Sequence, residues 1–170
     1  MGCDIHWIIE KRNMDGSDSE LDDVWVGVAM KHNTPALPIS ANLPDEYSQF
    51  TRPIYSGRDY AFFAALAGVR GEGPDPRGVP PDVSTLARTD IDSYGTDGHS
   101  HSWATLLEFV LAWLEVNKPQ AYDVCIAALA ARRLDGIPLS DEAQRILGYY
   151  TGISWLNELD DYRVVYYFDN

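Results

Sequence analysis

The sequence predicts an α+β fold: a small antiparallel sheet joining the N- and C-terminal strands, packed against a layer of about four helices, as a single globular domain over residues 1–170. Three observations predict it. Both ends carry β-type residues, the middle carries several stretches with apolar residues at helical spacing, and 170 residues are enough to bury one core without disulfide staples.

The opening alternates. Cys3, Ile5, Trp7 and Ile9 fall on one face of a strand, and Asp4, His6, Ile8 and Glu10 on the other. Residues 15–23 are acidic but lack the ligand order and late Glu of a calcium loop, so they read as a solvated turn. Val24, Trp25, Val26, Gly27 and Val28 then resume β-type residues, which predicts an antiparallel pair with the first strand. Residues 32–56 hold Pro35, Pro38, Pro44 and Pro53 with little periodicity, an irregular excursion placed to cover a site.

Residues 58–67 are good helix formers ended by Gly68, with Tyr60, Phe63, Ala64 and Ala67 as the core stripe. Residues 71–81 are rich in Gly and Pro and form a loop containing Arg77 and Gly78, and Asp82, Val83 and Ser84 begin a short helix. Ser102 caps a helix from Trp103 to about Val116, burying Leu106, Leu107, Val110, Trp113 and Leu114. Pro119 opens a second helix that ends with Arg132, Arg133 and Gly136, and Ser140 caps a third to about Leu147. Residues 162–170 are the strongest strand of the chain. An antiparallel arrangement with the first strand brings Asp169 beside Asp4 and His6, although a slip of one residue would turn it away.

A net charge of -13 excludes a broad surface for nucleic-acid phosphates or anionic membrane. Arg52, Arg58, Arg70, Arg77 and Arg88 nevertheless lie where they could face an anion together, the alternative being scattered solvated charges. Two cysteines give no disulfide framework and read as reduced thiols. Asp4 and His6 stand where a signal peptide would be basic and then apolar, and His6 occupies the position where myristoylation wants Ser or Thr. These features predict a soluble protein, with no membrane association, in the cytoplasm of its host.

Three of the four histidines fall in two short motifs, Asp4-Ile5-His6 and Asp97-Gly98-His99-Ser100-His101-Ser102-Trp103. Imidazole and carboxylate together suit a divalent metal, so Asp4, His6, His99, His101 and Asp169 are the candidate ligands, with Zn or Mn as the ion. Metal-bound water would supply a hydrolytic nucleophile, which makes Asp4, His6, His99 and His101 the candidate catalytic residues. Arg58 and Arg77, with Tyr60 and Trp103, are the candidates for holding a small anionic substrate. Each has a plainer reading. His6 would be a buried strand residue, the second motif a turn and helix cap, and the arginines partners of nearby acids. A thiol mechanism on Cys3 and His6 is disfavoured, since their spacing sends them to opposite faces.

Gly2 to His6, the segment 58–70, Arg77-Gly78-Val79-Pro80 with Asp82 and Ser84, the second histidine motif and the final Phe168-Asp169-Asn170 together resemble a family of small uncharacterised proteins of tailed bacteriophages, mycobacteriophages among them, and of some bacteria. The resemblance covers most of the chain and implies a phage or prophage origin without a settled activity. The two histidine motifs are also similar in ligand type to the first and last motifs of calcineurin-like metallophosphoesterases, but the intervening Gly-Asp-x-x-Asp and Gly-Asn-His motifs are missing. Two functions follow: a metal-dependent hydrolase of a phosphoester or nucleotide, or a non-catalytic acidic protein that binds and inhibits or sequesters a host component.

Overall fold

The terminal strands pair from Asp4 to Lys11 against Tyr162 to Asp169 in a computed structural model of the chain, which describes residues 2–13, 24–31, 58–151 and 156–169. The acidic turn 15–23 and the Pro-rich excursion 32–56 lie outside the described residues, as do Arg52 and Asn170. Strands β1 (Asp4–Arg12), β2 (Trp25–Lys31), β3 (His99–Thr105) and β4 (Tyr162–Asp169) form one antiparallel sheet in the order β2-β1-β4-β3. The strongest strand of the sequence is therefore an interior one, and seven of its eight residues are buried.

The period of two in β1 and β4 gives the sheet two covered faces. Ile5, Trp7, Ile9, Val164, Tyr166 and Phe168 meet the larger core, built with helices α1 (Tyr60–Ala67), α3 (Leu106–Asn117), α4 (Pro119–Asp135) and α5 (Asp141–Thr151). Ile8, Val165 and Tyr167 face the other way, onto α2 (Thr85–Tyr94). The expected layer of about four helices is present, and the short helix expected after Ser84 is α2, which covers the opposite face. A short 3-10 helix, Leu156–Asp161, leads into β4. No helix among the described residues is long and apolar enough to cross a membrane.

Helix ends follow local chemistry. The Asp59 carboxylate accepts from Phe62 N–H at the start of α1, and Gly68 ends it at φ 64°, a conformation that favours glycine. On α1, Phe62, Phe63, Leu66 and Ala67 are buried, whereas Tyr60 is 37% exposed. Ser84 caps α2, Pro119 opens α4 and Gly136 closes it, as expected. α5 runs to Thr151, four residues past the expected Leu147.

One boundary differs in kind. Residues 99–105 were expected as a loop and helix start, but they form β3, and the cap of α3 is Thr105 rather than Ser102. Thr105 and Glu108 make a reciprocal capping box, which outcompetes Ser102 by satisfying two backbone N–H groups at once. Ser102 instead accepts from Arg77 N–H at 3.0 Å, and Gly78 N–H donates to the His101 carbonyl at 2.9 Å. The Gly- and Pro-rich loop thus lies along β3 and blunts that edge of the sheet.

Candidate functional site

On the α2 face, β1 presents Asp4, His6 and Glu10 and β4 presents Arg163, Tyr167 and Asp169. Antiparallel register sets Asp4 against Asp169, His6 against Tyr167 and Glu10 against Arg163. The expected meeting of the chain ends therefore occurs. Asp4 N–H donates to Asp169 Oδ1 at 3.0 Å, and Asp169 Oδ2 lies 3.2 Å from His6 Nε2. That second contact is not a hydrogen bond, and neither ring nitrogen of His6 has a hydrogen-bond partner among the described residues. The ring is fully buried, with Tyr94 at 4.4 Å and Tyr167 at 4.9 Å between centroids.

Both arginines expected to hold an anion are occupied by carboxylates. Arg58 grips Asp4 through two bonds of 2.9 Å each, which raises the arginine's already high pKa. Its guanidinium lies against Gly2, where any side chain would collide with it. Arg77 binds both oxygens of Glu108, at 3.0 and 3.1 Å, and its hydrogen bonds hold the Glu108 carboxyl below its usual range. Arg77 also lies over the Trp103 ring, while Tyr60 packs on Phe63 and carries Arg70 over its face. Of the four expected substrate contacts, Arg77 and Trp103 therefore meet, while Arg58 and Tyr60 are held by other partners.

The His-x-His motif is divided too. A regular strand would put His99 and His101 on one face, but Ser100, at φ 50°, sits in a bulge where β3 shifts register against β4. His99 stacks on Phe168 and His101 on Tyr167, neighbours whose side chains leave β4 on opposite faces. Tyr167 also stacks with His6, and since β4 lies between β1 and β3, its ring separates His6 from His101. The five expected ligands Asp4, His6, His99, His101 and Asp169 therefore do not converge as one set. Among the described residues, no three His, Cys, Asp or Glu side chains form a group able to hold a metal ion. Cys3 offers no nucleophile either: it is fully buried, and burial pushes its thiol pKa up.

No family model, curated protein or solved structure matches this chain.

Sequence reasoning missed the best-satisfied polar cluster. Arg163 Nε donates to Glu10 Oε2 at 2.5 Å, Nη1 to Asp82 Oδ1 at 2.8 Å and Nη2 to the Asp82 carbonyl at 2.9 Å. Ser84 N–H completes Glu10 at 2.8 Å, Trp25 Nε1 reaches Asp82 Oδ2 at 3.0 Å, and the Trp25 ring lies 4.1 Å from the guanidinium. Glu10 and Arg163 are both buried, and this cluster fastens the start of α2 to the sheet. The available signal was Glu10 directly after Trp7-Ile8-Ile9 and Arg163 directly before Val164-Val165, at positions that become cross-strand partners. An open cavity of about 540 Å³ lies elsewhere, between α3, α4 and α5, lined by Leu107, Leu129, Leu147 and Arg132 and by none of the candidate site residues.

Burial, and then the neighbouring His99, hold the pKa of His101 below its ordinary 6.5. The unfolded chain accepts that proton more readily, so this group's stabilisation is complete above the unfolded value and is lost as pH falls through the lower folded one. His101→Gln cannot titrate and is expected to lessen the loss of stability between about pH 7 and about pH 5. Urea midpoints at the two pH values measure it; a wild-type pH dependence that the variant fully retains would contradict the assignment.

Proposed function

We propose that the protein is a non-catalytic acidic protein of phage or prophage origin that binds a basic host component in the host cytoplasm. The observation that carries this reading is the neutralisation of Arg58 by Asp4 and Arg77 by Glu108. With its two expected anion-holding cations spent, a chain of net charge -13 favours cationic partners over an anionic substrate. The phage origin rests on the motif resemblance alone. Capture from host lysate is the test, with elution by rising salt. A basic protein that binds at low ionic strength and releases as the charges are screened supports the reading. Salt-insensitive capture, or capture of acidic proteins only, overturns it.

A metal-dependent phosphoester hydrolase is the second reading. It is favoured by one observation: buried imidazole nitrogens of His6, His99 and His101 without hydrogen-bond partners among the described residues. Such nitrogens are free to take water or an ion, although the division of their rings by Tyr167 and the Ser100 bulge gives no shared coordination sphere.

A further inference from the structure

α4 has a second apolar face with no cover among the described residues. Only Cys125 of its 17 residues is fully buried, while Ile126 is 39% and Leu134 81% exposed, and Ile137 just past the helix is 51% exposed. Ile126, Ala130 and Leu134 recur every four residues and so form one stripe, on the side away from Cys125. The helix holds two acidic and two basic residues, Asp123, Asp135, Arg132 and Arg133, so it is neutral in a protein of charge -13. A basic host partner would gain little there.

We infer that this face pairs with α4 of a second copy of the chain, antiparallel about a two-fold axis at Ala130. An isologous contact places residue i against j and j against i. Centring it on Ala130 sets Ile126 on Leu134 of the second copy, twice, with the smallest side chain at the axis where the helices come closest. Ala127 then faces Arg133 of the second copy, and Asp123, one turn further along, comes within reach of that same arginine. Asp123 lies in the first half of the helix, and the last turn holds both arginines with one acid, Asp135, so the antiparallel direction sets an acidic half against a net basic end and opposes the helix dipoles. The neutrality of α4 keeps an excess of like charge out of the contact itself.

Sedimentation analysis is expected to give the mass of two chains for wild type and of one chain for Leu134→Glu, with the same thermal unfolding midpoint for both at concentrations where wild type is dissociated. Asp123→Arg should weaken association about tenfold, and adding Arg133→Asp should restore it. Because Cys3 and Cys125 are both buried, Ala130→Cys introduces an accessible thiol, and mild oxidation should link two chains through it. Ala127→Cys, facing an arginine rather than itself, should link poorly. A single-chain mass for wild type at every concentration overturns the proposal, and so does a dimer that survives Leu134→Glu or links through Ala127→Cys in preference to Ala130→Cys.

Discussion

Arg163→Ala should destabilise the fold by about 3–5 kcal/mol, because it strands the buried Glu10 carboxylate without its cation. The other bond to Glu10, from Ser84 N–H, cannot replace a charge. The same substitution releases Asp82, whose carboxyl the Arg163 bonds hold below its usual range, and removes the stacking on Trp25. Denaturant unfolding measures the loss. The double variant Glu10→Leu with Arg163→Met should recover much of it, since removing both charges costs less than leaving one buried. A loss for Arg163→Ala of less than about 1 kcal/mol, the scale of an exposed pair, would show that the cluster does not hold α2 to the sheet.

Tyr167→Ala should cost about 3–5 kcal/mol, the range for emptying a buried aromatic site. The ring is fully buried and touches His6, His101 and Tyr94, so its loss removes the shared wall of three side chains at once. Tyr167→Phe keeps that wall and gives up only the hydroxyl, which donates to Asp90 Oδ2 at 2.9 Å. It should cost about 1–2 kcal/mol. Burial and the Asp90 carboxylate both raise the Tyr167 pKa, so the donor proton is retained throughout the neutral range. Equal losses in the two variants would mean that the hydroxyl rather than the ring organises this face.

Much of the architecture was legible because it rests on periodicity and on caps. Alternation in β1 and β4 sorts Asp4, His6 and Asp169 onto one face, and Gly68, Ser84, Pro119 and Gly136 mark helix ends by local chemistry. What was not legible depends on partners distant in sequence. Ser100 carries no local mark of a bulge, yet its positive φ decides that His99 and His101 part company. The choice of Thr105 over Ser102 as a cap turned on Glu108 reaching back to the Thr105 N–H at 2.8 Å. Arg58 and Asp4, separated by 54 positions, were each singled out for a ligand, and each became the other's partner. The lesson is physical. Residue types suited to chemistry are the same types that satisfy one another when buried, and only register tells the two apart.

Asp4 pairs with Arg58, and the rings of His6, His99 and His101 stack on Tyr167 or Phe168 without forming one group of ligands among the described residues. Elemental analysis of untagged protein, after exposure to zinc or manganese and exhaustive dialysis, tests whether these side chains hold an ion. Far less than one ion per chain is expected, unchanged in the variant carrying His99→Ala and His101→Ala. One tightly held ion per chain that disappears in that variant would contradict it.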